Sequence, residues 1–311
     1  MKKGQSRNLI ELVPESIRSR VPKPVRHKIL PRYRIINGVV VDYLDWVLGR
    51  KGRFTPPRHL VQAAGIGGSS AAEFKELGQK QLRYCVELAS LNPRETVLEV
   101  GCGIGRLAAA LTKYLNQTGR YEGFDIGAVG IGWCQSRITP EYPNFRFRLV
   151  DVYNRDYNPK GRYEPSDYKF PYDSESFDLV FAYSVFTHMI PEDFEHYLSE
   201  ISRVMKTNGR SAISFLLINS ESARLIDSGQ SVIDLRYQMG PSRVFDKNLP
   251  ESTIGFEEEY VRKIYSRYGL DIVEPIRFGY WPGREGLLEA QDIIIARKTR
   301  RVRIGTPSSL S

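Results

Sequence analysis

The order of apolar patterns along this 311-residue chain predicts an α/β fold with a doubly wound, mostly parallel sheet. Short, mostly apolar runs such as TVLEVG and FDLVFAYSVF are typical of buried strands. These runs alternate with helical patterns such as PEDFEHYLSEISRVM, in which apolar residues recur every three or four positions. Strands that alternate with helices in this way predict a parallel sheet with helices on both of its faces.

The predicted elements follow one another from residue 73 to residue 298. A helix over residues 73–91 ends at Asn92-Pro93, because a residue before proline disfavours helical backbone. The patterns then alternate along the chain in this order: TVLEVG (strand), IGRLAAALTKYL (helix), RYEGFD (strand), residues 128–138 (helix), FRFRLV (strand), FDLVFAYSVF (strand), PEDFEHYLSEISRVM (helix), GRSAISFLLI (strand), FEEEYVRKIYSRYG (helix), LDIVEPI (strand) and QDIIIARK (strand).

Two long segments interrupt the alternation. Residues 153–172 contain five tyrosines, and we call this segment the tyrosine loop. Residues 219–255 form a second insertion, which we call the insertion. Segments of this length inside a compact domain are commonly lids or binding loops, so we expect both to border a functional site.

Three parts of the chain differ in composition. Residues 1–70 are basic and rich in prolines that break long helices, which predicts an accessory segment. Within it, VVVDYLDWVL predicts one short helix or strand, and GIGGSS predicts a flexible loop that caps the next helix. Residues 71–298 form the predicted main domain, and residues 299–311 form a basic tail.

The charge of the chain is unevenly distributed. Residues 1–34 carry +8 and residues 297–311 carry +5, so the net charge of +9 leaves −4 for the residues between them. An enzyme that acts on nucleic acid usually concentrates positive charge around its cleft, and the acidic middle therefore disfavours that class. Basic tails are compatible with an anionic membrane surface or an acidic partner.

Cysteine usage and hydropathy favour a cytoplasmic protein, with peripheral membrane attachment through the tails as an option. The three cysteines are too few and too scattered for a disulfide framework, and without a CxxC pair they do not indicate a metal site. No run approaches the roughly 20 apolar residues that span a bilayer, and the N-terminus has no apolar run of signal-peptide length.

The sequence VLEVGCGIGR places three glycines between a strand and a helix. Gly101, Gly103 and Gly105 allow a tight turn and a close approach of a ligand to the backbone, beside the positive end of the helix dipole. A dinucleotide motif would carry a further glycine at the next position, which is occupied by Arg106. This difference disfavours NAD, although a plain glycine turn without a ligand stays open.

Two acidic residues follow the next predicted strands. Asp125 ends RYEGFD, where a carboxylate can accept hydrogen bonds from both hydroxyls of a ribose. Asp151 ends the following strand, where it can accept from an adenine amino group while Val152 offers its backbone N–H. Helix capping by Asp125 and solvent exposure of Asp151 are the alternatives.

Together these motifs resemble those of class I S-adenosylmethionine-dependent methyltransferases, over about residues 74–298. VLEVGCGIG, YEGFDIG, FRLVDV and FDLVFAYSVFTHM are similar to the first four motifs of that family, and DSESFDLVFAYSVFTHM followed by RVMKTNGR is similar to its quinone-biosynthesis and small-molecule branch. The turn KTNGR departs from the usual Pro-Gly-Gly. The resemblance implies a seven-stranded Rossmann-like fold and S-adenosylmethionine as cofactor.

The resemblance also implies roles for individual residues. The glycines would bind the methionine end of the cofactor, Glu99 would orient that end, Asp125 would hold the ribose, and Asp151 with Val152 would hold the adenine. Ala182 and Tyr183 would line the methionine side. The complete predicted cofactor set is Glu99, Gly101, Cys102, Gly103, Gly105, Asp125, Ile126, Asp151, Val152, Ala182 and Tyr183.

His188 is the candidate general base, because it directly follows the fourth motif and histidine changes charge near neutral pH. The alternative is that His188 only holds a loop or caps the next helix. His196 lies inside a helical pattern and is expected to be structural, and His59 is a weaker candidate. The segment AYSV differs from the Asn/Asp-Pro-Pro-Tyr of base-amine methyltransferases, and no cysteine adjoins a proline as in cytosine C5 methylation.

The expected activity is O-methylation of a small molecule, a sugar or a lipid-linked glycan. The sequence leaves three alternatives open: an RNA or protein methyltransferase, a cofactor-binding partner protein without catalysis, and an NAD oxidoreductase.

Overall fold

The computed structural model describes residues 40–49, 52–63, 70–287 and 289–299. The chain forms two units, Met1–Glu76 and Leu77–Ser311. The basic segments at residues 1–34 and 300–311 lie outside the described residues, as does nearly all of GIGGSS. No helix in the described ranges is long and apolar enough to cross a membrane.

The first unit contains a helix at residues 40–47, where the sequence left helix and strand open. Asp42 and Asp45 lie three residues apart and therefore share a face of this helix. Asp42 Oδ2 accepts the backbone N–H of Arg58 at 2.9 Å, and Asp45 Oδ2 accepts from the Arg58 guanidinium at 3.0 Å. Arg58 begins helix α1 (Arg58–Ala63), so the two helices are joined by these charged contacts.

Helix α2 (Ala71–Arg83) continues into a π-helical turn, Tyr84–Leu88, and together they confirm the helix expected over residues 73–91. The Ser70 hydroxyl accepts the N–H of Glu73 at 3.0 Å, which satisfies an N–H group that the first helical turn leaves unpaired. The predicted cap of this helix is therefore confirmed at Ser70.

The described residues of the second unit form eleven strands and five further α-helices. The strands are β1 (Thr96–Val100), β2 (Arg120–Asp125), β3 (Phe145–Leu149), β4 (Phe177–Ala182), β5 (Met205–Phe215), β6 (Leu217–Ile218), β7 (Tyr237–Met239), β8 (Ser242–Val244), β9 (Ile254–Glu257), β10 (Leu270–Ile272) and β11 (Asp292–Lys298). The helices are α3 (Arg106–Leu111), α4 (Ala128–Arg137), α5 (Pro191–Val204), α6 (Ser220–Asp227) and α7 (Glu258–Arg267).

Seven strands form one sheet in the order β10–β11–β5–β4–β1–β2–β3. Neighbouring strands are parallel from β5 to β3, and only β11 runs antiparallel to the others. Helices flank the sheet, so the predicted doubly wound, mostly parallel, seven-stranded fold is confirmed. The chain reverses direction at the boundary between β1 and β4, where open α/β sheets place their ligands.

Burial of apolar side chains in the main core cluster explains why the predicted apolar runs form strands. Leu98 and Val100 of β1 pack in one buried cluster with Phe194 and Leu198 of α5. Full burial of each such side chain contributes about 1.5–3 kcal/mol. Val97 and Glu99 of β1 are also buried, so both faces of this strand are covered, and Glu99 is the one acidic residue within it.

The start of β5 differs from the prediction. The strand begins at Met205, four residues before the predicted GRSAISFLLI, and the KTNGR segment lies within it. Asn208 adopts a left-handed φ of 65°, and the pairing of β4 with β5 shifts register there. Asparagine tolerates this conformation better than most residues, so a strand bulge replaces the predicted turn.

The insertion is ordered and is not a long irregular loop. It contains α6, and its strands join a second sheet of order β6–β9–β8–β7. Strands of two to four residues are too short to show an alternating pattern, so they could not be predicted from the sequence. Strand β9 begins in the insertion and continues through Phe256 and Glu257, and for this reason the helix predicted from Phe256 begins only at Glu258.

A buried carboxylate joins the two sheets. Asp292, at the start of β11, is fully buried and accepts hydrogen bonds from Leu217 N, Gly279 N and Trp281 Nε1, each at 2.7 Å. The Arg284 guanidinium adds a fourth contact at 3.1 Å. Burial raises the pKa of Asp292 while these donors lower it.

Candidate functional site

The glycine loop, residues 101–105, connects β1 to α3. Gly101, Gly103 and Gly105 have φ values of 72°, 53° and 77°, which side chains other than glycine rarely adopt. A Cβ atom at Gly101 would lie 2.4 Å from Val185 Cγ2, and one at Gly105 would lie 2.6 Å from Cys134 Sγ. The loop therefore requires glycine at these positions and exposes backbone where side chains would stand.

Asp125 holds this loop from the end of β2. Its Oδ2 accepts the N–H of Gly103 and its Oδ1 accepts the N–H of Gly127, each at 2.7 Å. Burial raises the pKa of Asp125, and the two backbone donors oppose that rise. A carboxylate oxygen has room for a second donor, so the side chain can hold the loop and still accept from a ligand.

Glu99 lies beneath the loop and is buried. The Tyr121 hydroxyl donates to its Oε2 at 2.5 Å. Burial raises the pKa of Glu99 to about 8, and the charge of Asp125 also raises it, whereas the Tyr121 hydrogen bond and Arg106 lower it. The Glu99 carboxyl is therefore largely neutral near pH 7.

Cys102 and Ile126 flank these residues. Cys102 is buried, and burial raises the pKa of its thiol, so it stays neutral and contributes packing. Ile126 is half-buried against the main core cluster. Within the described residues, no group of three or more His, Cys, Asp or Glu side chains is arranged to hold a metal ion.

Asp151 and Val152 follow β3, next to Asp125. The N–H of Val150 donates to the Asp125 carbonyl at 3.0 Å, which sets the two strand ends side by side. Asp151 is exposed, with a weak contact of 3.4 Å from Asn158 Nδ2, whereas Val152 is buried. The predicted adenine-side residues thus lie at the same edge as the glycine loop.

Ala182 and Tyr183 end β4 on the other side of β1. Ala182 is buried, and the Tyr183 ring stacks on Tyr84 with ring centroids 6.2 Å apart. Ser184 has a φ of 60°, its N–H donates to Ser214 Oγ at 2.7 Å, and its Oγ accepts from Gln291 Nε2 at 3.1 Å.

Three polar atoms near this strand end are buried without a hydrogen-bond partner among the described residues. They are Gln81 Oε1, Tyr84 Oη and Gln291 Oε1. A buried polar atom without a partner costs about 1–3 kcal/mol, so this arrangement fits a polar ligand that completes the hydrogen bonds. Sequence reasoning missed these residues, because Gln81 and Tyr84 lie in an ordinary helical pattern and Gln291 lies in the last loop.

His188 lies in a 3-10 turn, Phe186–His188, after β4. Its Nδ1 is 3.0 Å from the carbonyl oxygen of Glu251 in the insertion, and the Tyr157 ring meets its imidazole edge-on with centroids 6.0 Å apart. Burial raises the pKa of Tyr157, and the charges of Asp156 and Asp125 raise it further, so Tyr157 contacts His188 and lies within electrostatic range of Asp125. His196 Nε2 is bonded to the Tyr168 carbonyl at 2.9 Å, as a structural residue would be.

The insertion and the tyrosine loop meet beside His188. Arg155 Nη1 donates to the Asn248 carbonyl at 2.8 Å. Burial raises the pKa of the Glu251 carboxyl, and a hydrogen bond from the backbone N–H of Arg155 opposes that rise. The expectation that both long segments border one site is consistent with these contacts.

Comparison with known proteins identifies the type of domain. A family model described as "Methyltransferase domain" matches residues 97–209, which include the glycine loop, Asp125, Asp151 and His188. Residues 97–209 thus match a methyltransferase domain, in agreement with the predicted class I, S-adenosylmethionine-dependent type. The predicted family and cofactor are thereby confirmed. None of the matches described in this subsection supports the alternative of an NAD oxidoreductase. The small-molecule branch stays a prediction.

Individual relatives are distant. The methyltransferase GfsG of Streptomyces halstedii is 26% identical over 152 residues, which make up 48% of this chain and 48% of that protein. The chain thus spans about half the length of this curated relative. Among solved structures, the PH0226 protein of Pyrococcus horikoshii OT3 is 15% identical, with a TM-score of 0.50 over 73% of this methyltransferase chain and 91% of that protein.

A second solved structure is the Burkholderia thailandensis 1,6-didemethyltoxoflavin-N1-methyltransferase with 1,6-didemethyltoxoflavin and S-adenosylhomocysteine. It is 16% identical, with a TM-score of 0.47 over 73% of this chain and 80% of that protein. Similarity at the level of the PH0226 protein supports the fold of this methyltransferase domain and does not indicate its acceptor.

Proposed function

We propose that this chain transfers the methyl group of S-adenosylmethionine to a hydroxyl oxygen of a small molecule, a sugar or a lipid-linked glycan, with His188 as general base. The observation that carries the base assignment is the contact between His188 Nδ1 and the Glu251 carbonyl. A carbonyl oxygen only accepts hydrogen bonds, so Nδ1 carries the proton. In the neutral ring, Nε2 then holds the lone pair that a base needs.

The chain offers suitable partners for each part of the cofactor. The glycine loop and the unpaired atoms of Gln81, Tyr84 and Gln291 suit the charged methionine end. Asp125 would hold the ribose, and Asp151 with Val152 would hold the adenine. The cofactor supplies a methyl group on a sulfonium, which is displaced in line with the attacking atom, so positioning accounts for much of the rate.

His188 would take the proton of the acceptor hydroxyl as that oxygen forms its bond to the methyl carbon. General bases of this kind contribute about 10²–10⁴ in rate. The Glu251 carbonyl fixes the ring orientation and the tautomer throughout. The insertion would therefore supply part of the catalytic geometry, although it contributes no reacting atom.

The acceptor class is inferred from the surroundings of His188. Tyr157 and Tyr163 of the tyrosine loop are partly exposed, and their faces can pack on a sugar or an aromatic ring. The residues between the basic tails carry −4, which disfavours a polyanionic acceptor such as RNA. These two features support a neutral, hydroxyl-bearing acceptor.

The test is transfer of isotope-labelled methyl from S-adenosylmethionine to fractions of a cell extract, followed by mass spectrometry of the labelled product. We expect an O-methylated product. For His188→Ala, kcat should fall by about 10²–10⁴, while the Kd for S-adenosylmethionine stays within about twofold, since His188 lies outside the proposed cofactor contacts.

His196→Ala is the matched control, because His196 also contacts a backbone carbonyl but lies within α5. It should keep near wild-type kcat. A product methylated on nitrogen or carbon would contradict the hydroxyl acceptor, and equal turnover of the His188 and His196 variants would remove the base assignment. Cofactor binding without transfer to any fraction would instead favour a non-catalytic partner protein.

A further inference from the structure

The helix at residues 40–47 in the first unit carries an apolar outer face that the proposed function does not use. Residues three or four positions apart share a helix face, and on this face Tyr43 is 62% exposed. Trp46, at 68% exposed, widens the face at its edge. We call this set the outer face; it consists of Val40, Tyr43, Leu44, Trp46, Val47 and Leu48.

The opposite face of the same helix carries its acidic residues. Asp42 and Asp45 both turn toward Arg58, at 2.9 Å and 3.0 Å. A helix of this length is marginal by itself, and these contacts hold it against α1. Because both carboxylates are engaged there, the outer face contains no charged side chain, and the packing of the helix does not explain its apolar character.

The outer face differs from the other exposed apolar residues that the structure describes. In the second unit, large exposed apolar side chains such as Val232 and Phe245 are scattered. Single exposed apolar residues are normal on a protein surface, whereas a contiguous apolar patch marks an interaction site.

The flanking sequence indicates the chemistry of the partner. Residues 1–34 carry +8, and Arg50, Lys51 and Arg53 follow the outer face. A second copy of this chain would bring the same positive charge and be repelled. A nucleic acid would pair with the basic residues but would leave the apolar outer face exposed to water. An anionic bilayer satisfies both features, since basic residues are attracted to its headgroups and Trp and Tyr favour its interface.

We propose that residues 40–48 bind the surface of an anionic membrane, with the helix lying in the interfacial plane and the outer face toward the lipid. The basic residues on either side of the helix provide the electrostatic attraction, and the outer face provides the apolar contact. This proposal is independent of the proposed methyl transfer.

The first experiment uses the full chain and two kinds of vesicle, pure phosphatidylcholine and an equal mixture of phosphatidylcholine and phosphatidylglycerol. We expect co-sedimentation with the mixed vesicles only, weakening as salt rises. Trp46 is a built-in reporter, because Trp281 is buried and Trp133 is half-buried. Its emission should shift to shorter wavelength on binding, and the Trp46→Phe variant should bind without that shift.

The second experiment separates the outer face from the charge. The double variant Leu44→Ser with Val47→Ser should bind mixed vesicles about tenfold or more weakly, because it removes apolar contact at the interface. Its thermal unfolding should match the wild type, since neither side chain is buried. Val232→Ser, an equally exposed residue in the insertion, is the control and should bind like the wild type.

Two results would overturn the proposal. One is equal vesicle binding by the wild type and the double variant, which would assign binding to the basic segments alone. The other is a concentration-dependent dimer, seen by analytical ultracentrifugation, that the double variant abolishes while no vesicle binding occurs. That result would assign the outer face to a second copy of the chain.

Discussion

The two halves of the site are built in different ways. The cofactor half contains the glycine loop and Asp125, and the side-chain hydrogen bonds of Asp125 reach no further than 22 positions along the chain, since it accepts from Gly103 and Gly127. The acceptor half contains His188, which contacts Glu251 at a sequence separation of 63 positions. The glycine loop and Asp125 are therefore encoded in neighbouring motifs, whereas the acceptor half depends on how the insertion folds back.

The largest expected effect tests whether the two halves are separable. Asp292→Ala should destabilise the protein by about 3–5 kcal/mol, since it leaves the buried Arg284 and three buried N–H groups without their acceptor. Thermal unfolding measures this loss. The matched control Asp234→Ala removes an exposed acid paired only with the exposed Arg236 and should change stability by less than about 0.5 kcal/mol.

Because Asp292 joins the main sheet to the sheet that carries the insertion, the remaining folded Asp292→Ala protein should bind S-adenosylmethionine with an affinity close to that of the wild type. An equal loss of cofactor affinity would contradict the separation of the two halves.

The next effect isolates the cofactor half. In Gly130→Ala, the new Cβ would lie 2.4 Å from the Gly103 carbonyl oxygen, so the glycine loop must shift. We expect about 100-fold weaker binding of S-adenosylmethionine by calorimetry, equivalent to about 2.7 kcal/mol. Gly132→Ala, two residues along the same helix, meets open space and should bind normally with slightly higher stability. Similar affinities for the two variants would mean that the loop conformation does not matter.

A smaller effect compares how much Asp125 and Asp151 each contribute to cofactor affinity. Asp125→Asn replaces one acceptor oxygen by an NH₂ group that faces a backbone N–H, and we expect about tenfold weaker cofactor binding. Asp151→Asn changes an exposed side chain and should weaken binding by no more than about threefold. Equal losses in these titrations would show that Asp125 is not the main support of the glycine loop.

The residues that the sequence suggested and those that it missed follow the same division. The glycine loop, Asp125 and Asp151 could be suggested because each follows a predicted strand. It did not predict that Glu251, Gln291 or Asp292 contribute, because their partners are distant and their own surroundings have no pattern. The short strands of the insertion were missed because two to four residues are too few to show a period.

The smallest effect concerns Glu99. Its folded pKa of about 8 lies above the ordinary value, so its contribution to stability is fully present at acidic pH and is lost as pH rises through about 8. The wild type should lose at least about 1 kcal/mol relative to Glu99→Gln between pH 5 and pH 8. Parallel pH profiles of thermal unfolding for the two proteins would show that Glu99 is already ionised at low pH.

Calorimetric titration of the full chain with S-adenosylmethionine and, separately, with NAD distinguishes the two cofactors. We expect saturable one-site binding of S-adenosylmethionine that His188→Ala retains and Gly130→Ala weakens, and no binding of NAD. Saturable binding of NAD without binding of S-adenosylmethionine would contradict this expectation.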